Sequence, residues 1–188
     1  MNKKGFTLIE LLIVIGILAI LTAAVVIVLN PAELLKQSRD SQRMTDLDAM
    51  KNAIALFLAD EKTFTANGSV VTGNCYVYPA GVALNCGGRH GAKTTTAVQS
   101  TVVTGGGWIP LNLTAISSGS PLSALPIDPT NNTTYFYSFS GDTTQLTFEL
   151  DAFLESTKYA SKMVNDGGNL NSATTGFYEV GNSPGLAI

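Results

Sequence analysis

The sequence predicts an α+β protein. A long N-terminal spine helix, membrane-spanning in its first half, carries a head with an antiparallel β-sheet and an elaborated helix-to-sheet loop. Three patterns carry that expectation. Phe6 to Leu29 is an apolar run of 24 residues interrupted only by Thr7, Glu10, Gly16 and Thr22. Met44, Leu47, Met50, Ile54 and Phe57 then recur at the three-and-four spacing of one helix face, with Leu58 beside them. Two alternating runs follow, Tyr135 to Phe139 and Gln145 to Glu155, the signature of paired strands.

The whole chain has 188 residues, room for one ordinary domain and an appendage. Hydrophobic residues make up 45% and charged residues 13%, the opposite balance from a disordered chain. A net charge of −3 argues against a nucleic-acid binder built on a basic face. Two cysteines and one histidine, His90, are too few for a disulfide-dense miniature or a four-cysteine zinc site.

As a helix, the Phe6–Leu29 run is about 36 Å long, enough to cross a hydrocarbon core of about 30 Å. It is too long for the apolar region of a secretory signal, and no small-residue cleavage site follows it. Lys3 and Lys4 precede the span and the next basic residue is Lys36, so the N-terminus stays cytoplasmic and the head lies outside. Glu10 is the anomaly within it. A carboxylate inside an apolar run is costly and marks function, unless it merely snorkels to the headgroups.

The stretch Lys3-Lys4-Gly5-Phe6-Thr7-Leu8-Ile9-Glu10-Leu11-Leu12 resembles the leader and N-terminus of type IV pilins and of the pseudopilins of type II secretion. The resemblance covers about the first 30 residues. It implies cleavage by a prepilin peptidase after Gly5, N-methylation of the new first residue, Phe6, and an assembly role for Glu10. The charges themselves fit that role. Cleavage creates an amine on Phe6, four positions from the Glu10 carboxylate. In a bundle of such helices a neighbour's amine can pair with Glu10, which would fix the stagger between subunits.

Asn30-Pro31-Ala32-Glu33 reads as a helix start, with Asn at the N-cap and Pro at the first position; the same residues also suit a kink in one continuous helix. Gly16 is a second weak point. Acid-base pairs at i,i+3, including Asp40/Arg43, are expected on the outer faces of the amphipathic helix. The expected boundaries are a leader over 1–5, a transmembrane and assembly helix over 6–29, an amphipathic helix over 30–62 and a β-rich extracytoplasmic head over 63–188.

From Asn67 to Ser140 only Arg89, Lys93 and Asp128 are charged, and β-branched and aromatic residues are interspersed among Gly, Ser, Thr and Asn. That composition predicts an elaborated loop with short strands. In the later sheet, Ser140-Gly141-Asp142 is expected to turn. Phe148, Leu150, Ala152 and Leu154 should face the helix, while Glu149, Asp151 and Glu155 face water. Phe177 to Val180 suits a further strand. Leu125 to Asn131 resembles, less specifically, a segment of many pilin and pseudopilin subunits.

Cys75 and Cys86 suit a disulfide in an exported loop. A metal site from both cysteines and His90 matches no zinc spacing, so neither metal nor cofactor is expected. Gly181-Asn182-Ser183-Pro184-Gly185 matches a nucleophile-elbow string, but Pro184 blocks the helix such an elbow needs. Asp166 to Asn169 could contribute to a calcium loop, though the rest of an oxygen cage is not evident. Asn67, Asn112, Asn131 and Asn132 begin N-x-[ST] strings, which are frequent in such composition.

The reading that follows is a non-enzymatic subunit of a type IV pilus or related pseudopilus. Its expected partners are copies of itself in a helical filament, the prepilin peptidase, the inner-membrane assembly machinery, and membrane lipid before assembly. A minor subunit that primes or tips a filament shares the same N-terminus. An extracellular binding module on a pilin-type anchor is the reading from another class.

Overall fold

The computed structural model describes residues 5–65, 68–79, 86, 90, 93–163 and 176–182, leaving aside the side chains of 26 and 27. The chain divides into two compact units, Met1–Lys36 and Gln37–Ile188.

In the first unit, helix α1 runs Leu8–Leu29 and helix α2 begins at Pro31. Asn30 separates them. Its left-handed backbone (φ 40°) closes α1, as Asn tolerates at a C-terminus, while its side chain accepts from the Glu33 amide at 3.4 Å. Pro31 supplies no N–H, so the first turn of α2 has one donor fewer to satisfy. Every described side chain of α1 is exposed, so its apolar surface is uncovered all round.

Helix α2 extends to Glu61. In the second unit its buried stripe holds Leu47, Met50, Ile54 and Phe57, as the spacing predicted, with Ala53 among them. A five-stranded sheet packs on that stripe: β1 (Asn74–Val77), β2 (Thr94–Ala97), β3 (Ser138–Asp142), β4 (Thr147–Ala152) and β5 (Tyr178–Gly181), in the order β2-β1-β3-β4-β5. The inward side chains Tyr76, Phe139, Phe148, Leu150, Ala152 and Val180 share one core with α2. The long connection into β3 is ordered by its own apolar residues. Trp108, Ile109, Leu111 and Leu113 are buried in the same core, and Trp108 Nε1 donates to the Pro126 carbonyl at 3.0 Å.

Three expectations need correction. The sheet is mixed rather than wholly antiparallel, because β2 runs parallel to β1. The 16 residues between Val77 and Thr94 supply the crossover length that a parallel pair requires. Ser140, Gly141 and Asp142 lie within β3, and the turn falls at 143–146. Gly141 serves close packing instead: a Cβ there would sit 3.2 Å from Val70 and 3.5 Å from Phe64. Asp142 makes the turn, its carboxylate accepting from the Thr144 and Gln145 amides at 2.7 and 2.8 Å.

The third correction concerns charge. Asp40 and Arg43 are fully buried, continuing the stripe of α2 toward its N-terminus rather than facing water. Arg43 donates to Asp40 at 2.9 Å and to Asp128 at 2.7 and 2.9 Å, reaches Glu155 at 2.7 Å, and stacks over Tyr135 at 4.9 Å. Asp40 in turn accepts from the backbone amides of Glu155 and Ser156. Glu155, expected in water, is therefore part of this cluster, with Arg39 donating from Nε at 2.8 Å to the oxygen that Arg43 also reaches, and from Nη2 to the other oxygen. The Arg39 guanidinium, with Arg43, holds the Glu155 carboxyl down to about 2 against the opposing effect of burial.

Removing one partner from a buried ion pair strands the other and costs about 3–5 kcal/mol. Asp128→Ala should therefore lower the unfolding free energy by about that amount, read from the fluorescence of Trp108, the only tryptophan, in denaturant titrations of detergent-solubilised protein. A loss under about 1 kcal/mol contradicts this account.

The depressed Glu155 pKa gives a second expectation. Its contribution is complete above the ordinary value of 4.5 and is lost as pH falls toward about 2. Stability should drop by on the order of 2–3 kcal/mol across that window, and Arg39→Gln should flatten the drop. An unchanged acid profile in that variant would contradict the assignment.

Candidate functional site

Two places concentrate polar chemistry outside the Arg43 cluster: the start of α1 and the outer face of the sheet. At the first, Gly5 and Phe6 precede the helix, exposed, with the Phe6 ring 83% accessible. Lys3 and Lys4 lie outside the described residues. Thr7 is the N-cap, and with Glu10 it forms a reciprocal capping box. The Glu10 amide donates to Thr7 Oγ1 at 3.3 Å, while Glu10 Oε2 accepts from the Thr7 amide at 2.9 Å and its hydroxyl at 2.8 Å. The Thr7-x-x-Glu10 spacing makes this local, so an apolar helix starts with its carboxylate already hydrogen-bonded. Sequence reasoning singled out Glu10 for its charge and missed this second role, although the spacing alone would have shown it.

The outer sheet face carries Cys75 and Val77 on β1, Ser138 and Ser140 on β3, Glu149 and Asp151 on β4, and Glu179 on β5. Alternation predicted water there. Instead Glu149 and Asp151 are 1% and 0% exposed. The described residues of the β1–β2 connection explain the difference. Cys86 is joined to Cys75 by a disulfide, with Cα atoms 6.4 Å apart, and packs with Val77 and Phe136. His90, also buried, places Nδ1 3.6 Å from Glu149 Oε2 and Nε2 3.4 Å from Asp151 Oδ2. Lys93 donates to Ser140 Oγ at 2.6 Å, and Ser140 pairs across the ladder with Glu149. Burial draws the Lys93 amine below the ordinary lysine range, opposed by Glu149, Asp142 and Asp151. The cysteines bond each other, and carboxylates rather than thiols meet the imidazole.

The remaining sequence candidates divide simply. Asn112 and Asn132 cap local turns, accepting from Thr114 and from Thr134 and Tyr135. Asn182 locks β5 to the start of β4 through the Phe148 amide and the Leu146 carbonyl. Asn67, Asp166 to Asn169, and Ser183 to Gly185 lie outside the described residues.

No curated protein and no solved structure matches the chain. A family model described as the prokaryotic N-terminal methylation motif matches residues 1–26, which hold Gly5, Phe6, the capping box and most of α1. The N-terminus therefore carries the methylation signature of type IV pilins and pseudopilins.

Proposed function

We propose that this chain is a structural, non-enzymatic subunit of a type IV pilus or a related pseudopilus, anchored in a membrane before it assembles. One observation carries the reading: a helix apolar on every side, behind the methylation motif and with a hydrogen-bonded glutamate in its first turn. Leu8–Val25 is long and apolar enough to cross a membrane, and none of that window is buried in the fold. Such a surface requires cover, first from lipid and then from like helices in a filament. The motif supports processing by a prepilin peptidase that removes residues 1–5 and methylates Phe6. Lys3 and Lys4 would be retained in the cytoplasm, which sends residues 63–188 outward. The 30–62 segment then links anchor and head.

Processing gives the first test. Subunits recovered from sheared filaments should begin at N-methyl-Phe6, and Gly5→Ala should be processed better than Gly5→Leu. Filament subunits that retain Met1 would refute it.

Assembly gives the second. A neighbour's Phe6 amine is the partner proposed for Glu10, and Glu10→Gln separates that role from capping, since glutamine also closes a capping box. Membrane insertion, cleavage and helix start should survive in the variant. Filament yield relative to the mature membrane pool should fall by about a hundredfold or more, the equivalent of about 3–5 kcal/mol for one stranded partner. Wild-type yield from Glu10→Gln would remove the pairing mechanism.

A further inference from the structure

The outer sheet face brings one histidine and two carboxylates together in a buried cluster. His90, Glu149 and Asp151 have side chains that are 0%, 2% and 0% exposed. One ligand atom from each lies within 4.8 Å of the other two. Donors around a four-coordinate zinc-like ion stand about 3.4 Å apart, given bonds of about 2.0–2.2 Å. Closing the present spacing to that value takes about an ångström of side-chain movement.

The face is acidic, which favours a cation. Glu149 and Asp151 project from one face of β4, and Asp151 pairs directly with Glu179 on β5. Like charges opposite one another destabilise a sheet, so positive charge beside these carboxylates is favourable. Lys93 supplies one positive charge on this face.

We propose that His90, Glu149 and Asp151 form a site for a divalent transition-metal ion of the zinc class, pinning the β1–β2 connection to the sheet. The mixed nitrogen-oxygen set suits zinc, cobalt or manganese, whereas calcium prefers six to eight oxygens and no imidazole. Thiolates are not required, since both cysteines are bonded to each other. The disulfide limits where His90, four residues beyond Cys86, can lie.

The test uses untagged, full-length protein in detergent, stripped with a chelator, dialysed and titrated with zinc. Plasma mass spectrometry should find one zinc per chain, and excess calcium should not displace it. His90→Gln and Asp151→Asn should each weaken zinc binding by about a hundredfold or more. Cobalt should give the visible spectrum of a nitrogen-oxygen site in wild type and not in either variant. Trp108 fluorescence and an intact disulfide report whether each variant is folded. If one is not, the other variant and the wild-type stoichiometry decide. Zinc well below one per chain, equal binding by wild type and both variants, or nitrogen NMR showing His90 doubly protonated in saturating zinc would each overturn the site. The test needs no filament, so its failure is distinct from failure of the pilin reading.

Discussion

A charged guanidinium sealed inside the head is the constraint on which the rest of that unit depends. Arg43 is fully buried, and burial is tolerable only because Asp40, Asp128 and Glu155 surround it with oppositely charged oxygens. Those partners come from α2, from the tract before β3 and from the segment after β4. One side chain thereby fixes three stretches far apart in sequence. Asp128 also accepts from the Thr130 and Asn131 amides, so its own loop is shaped around the same carboxylate. Tyr137 adds a second polar tie, its hydroxyl donating to Asp46 at 2.9 Å. Hydrophobic burial between α2 and the sheet supplies bulk cohesion; the ionic cluster selects the arrangement.

Much of this was legible without coordinates, and the failures share a cause. The first helix follows from the length of its apolar run, and α2 and the β-hairpin follow from periodicity, which reports which residues share a face. Periodicity does not report what covers that face. Asp40 and Arg43 look like a surface pair at i,i+3, yet 40, 43, 47, 50, 54 and 57 form one unbroken three-and-four stripe. Reading polarity ahead of position put the pair on the wrong side. Glu149 and Asp151 alternate with apolar neighbours as solvent-facing residues do. Nothing local in a Gly-rich connection signals that it carries Cys86 and His90 onto the far side of the sheet. Gly141 was misread for a related reason, because glycine marks tight packing as readily as a turn.

The N-terminal unit obeys different physics. Its helix is held by backbone hydrogen bonds and by the Thr7–Glu10 box, not by burial against the chain. A helix of 22 residues with no covered side is stable in lipid or among like helices, and unsuited to water alone. Its composition shows that requirement plainly. Asn30 then gives a defined end to that apolar helix, since one residue terminates α1 and initiates α2.

The sheet's outer strands have a bearing on crowding. Both margins, β2 and β5, are four residues long. On an edge strand alternate residues aim their backbone groups outward, so each margin offers only about two residues to a foreign strand. That is too little to nucleate a stable ladder between molecules. Wherever copies are crowded together, long bare margins would invite amyloid-like stacking. Short ones limit such pairing.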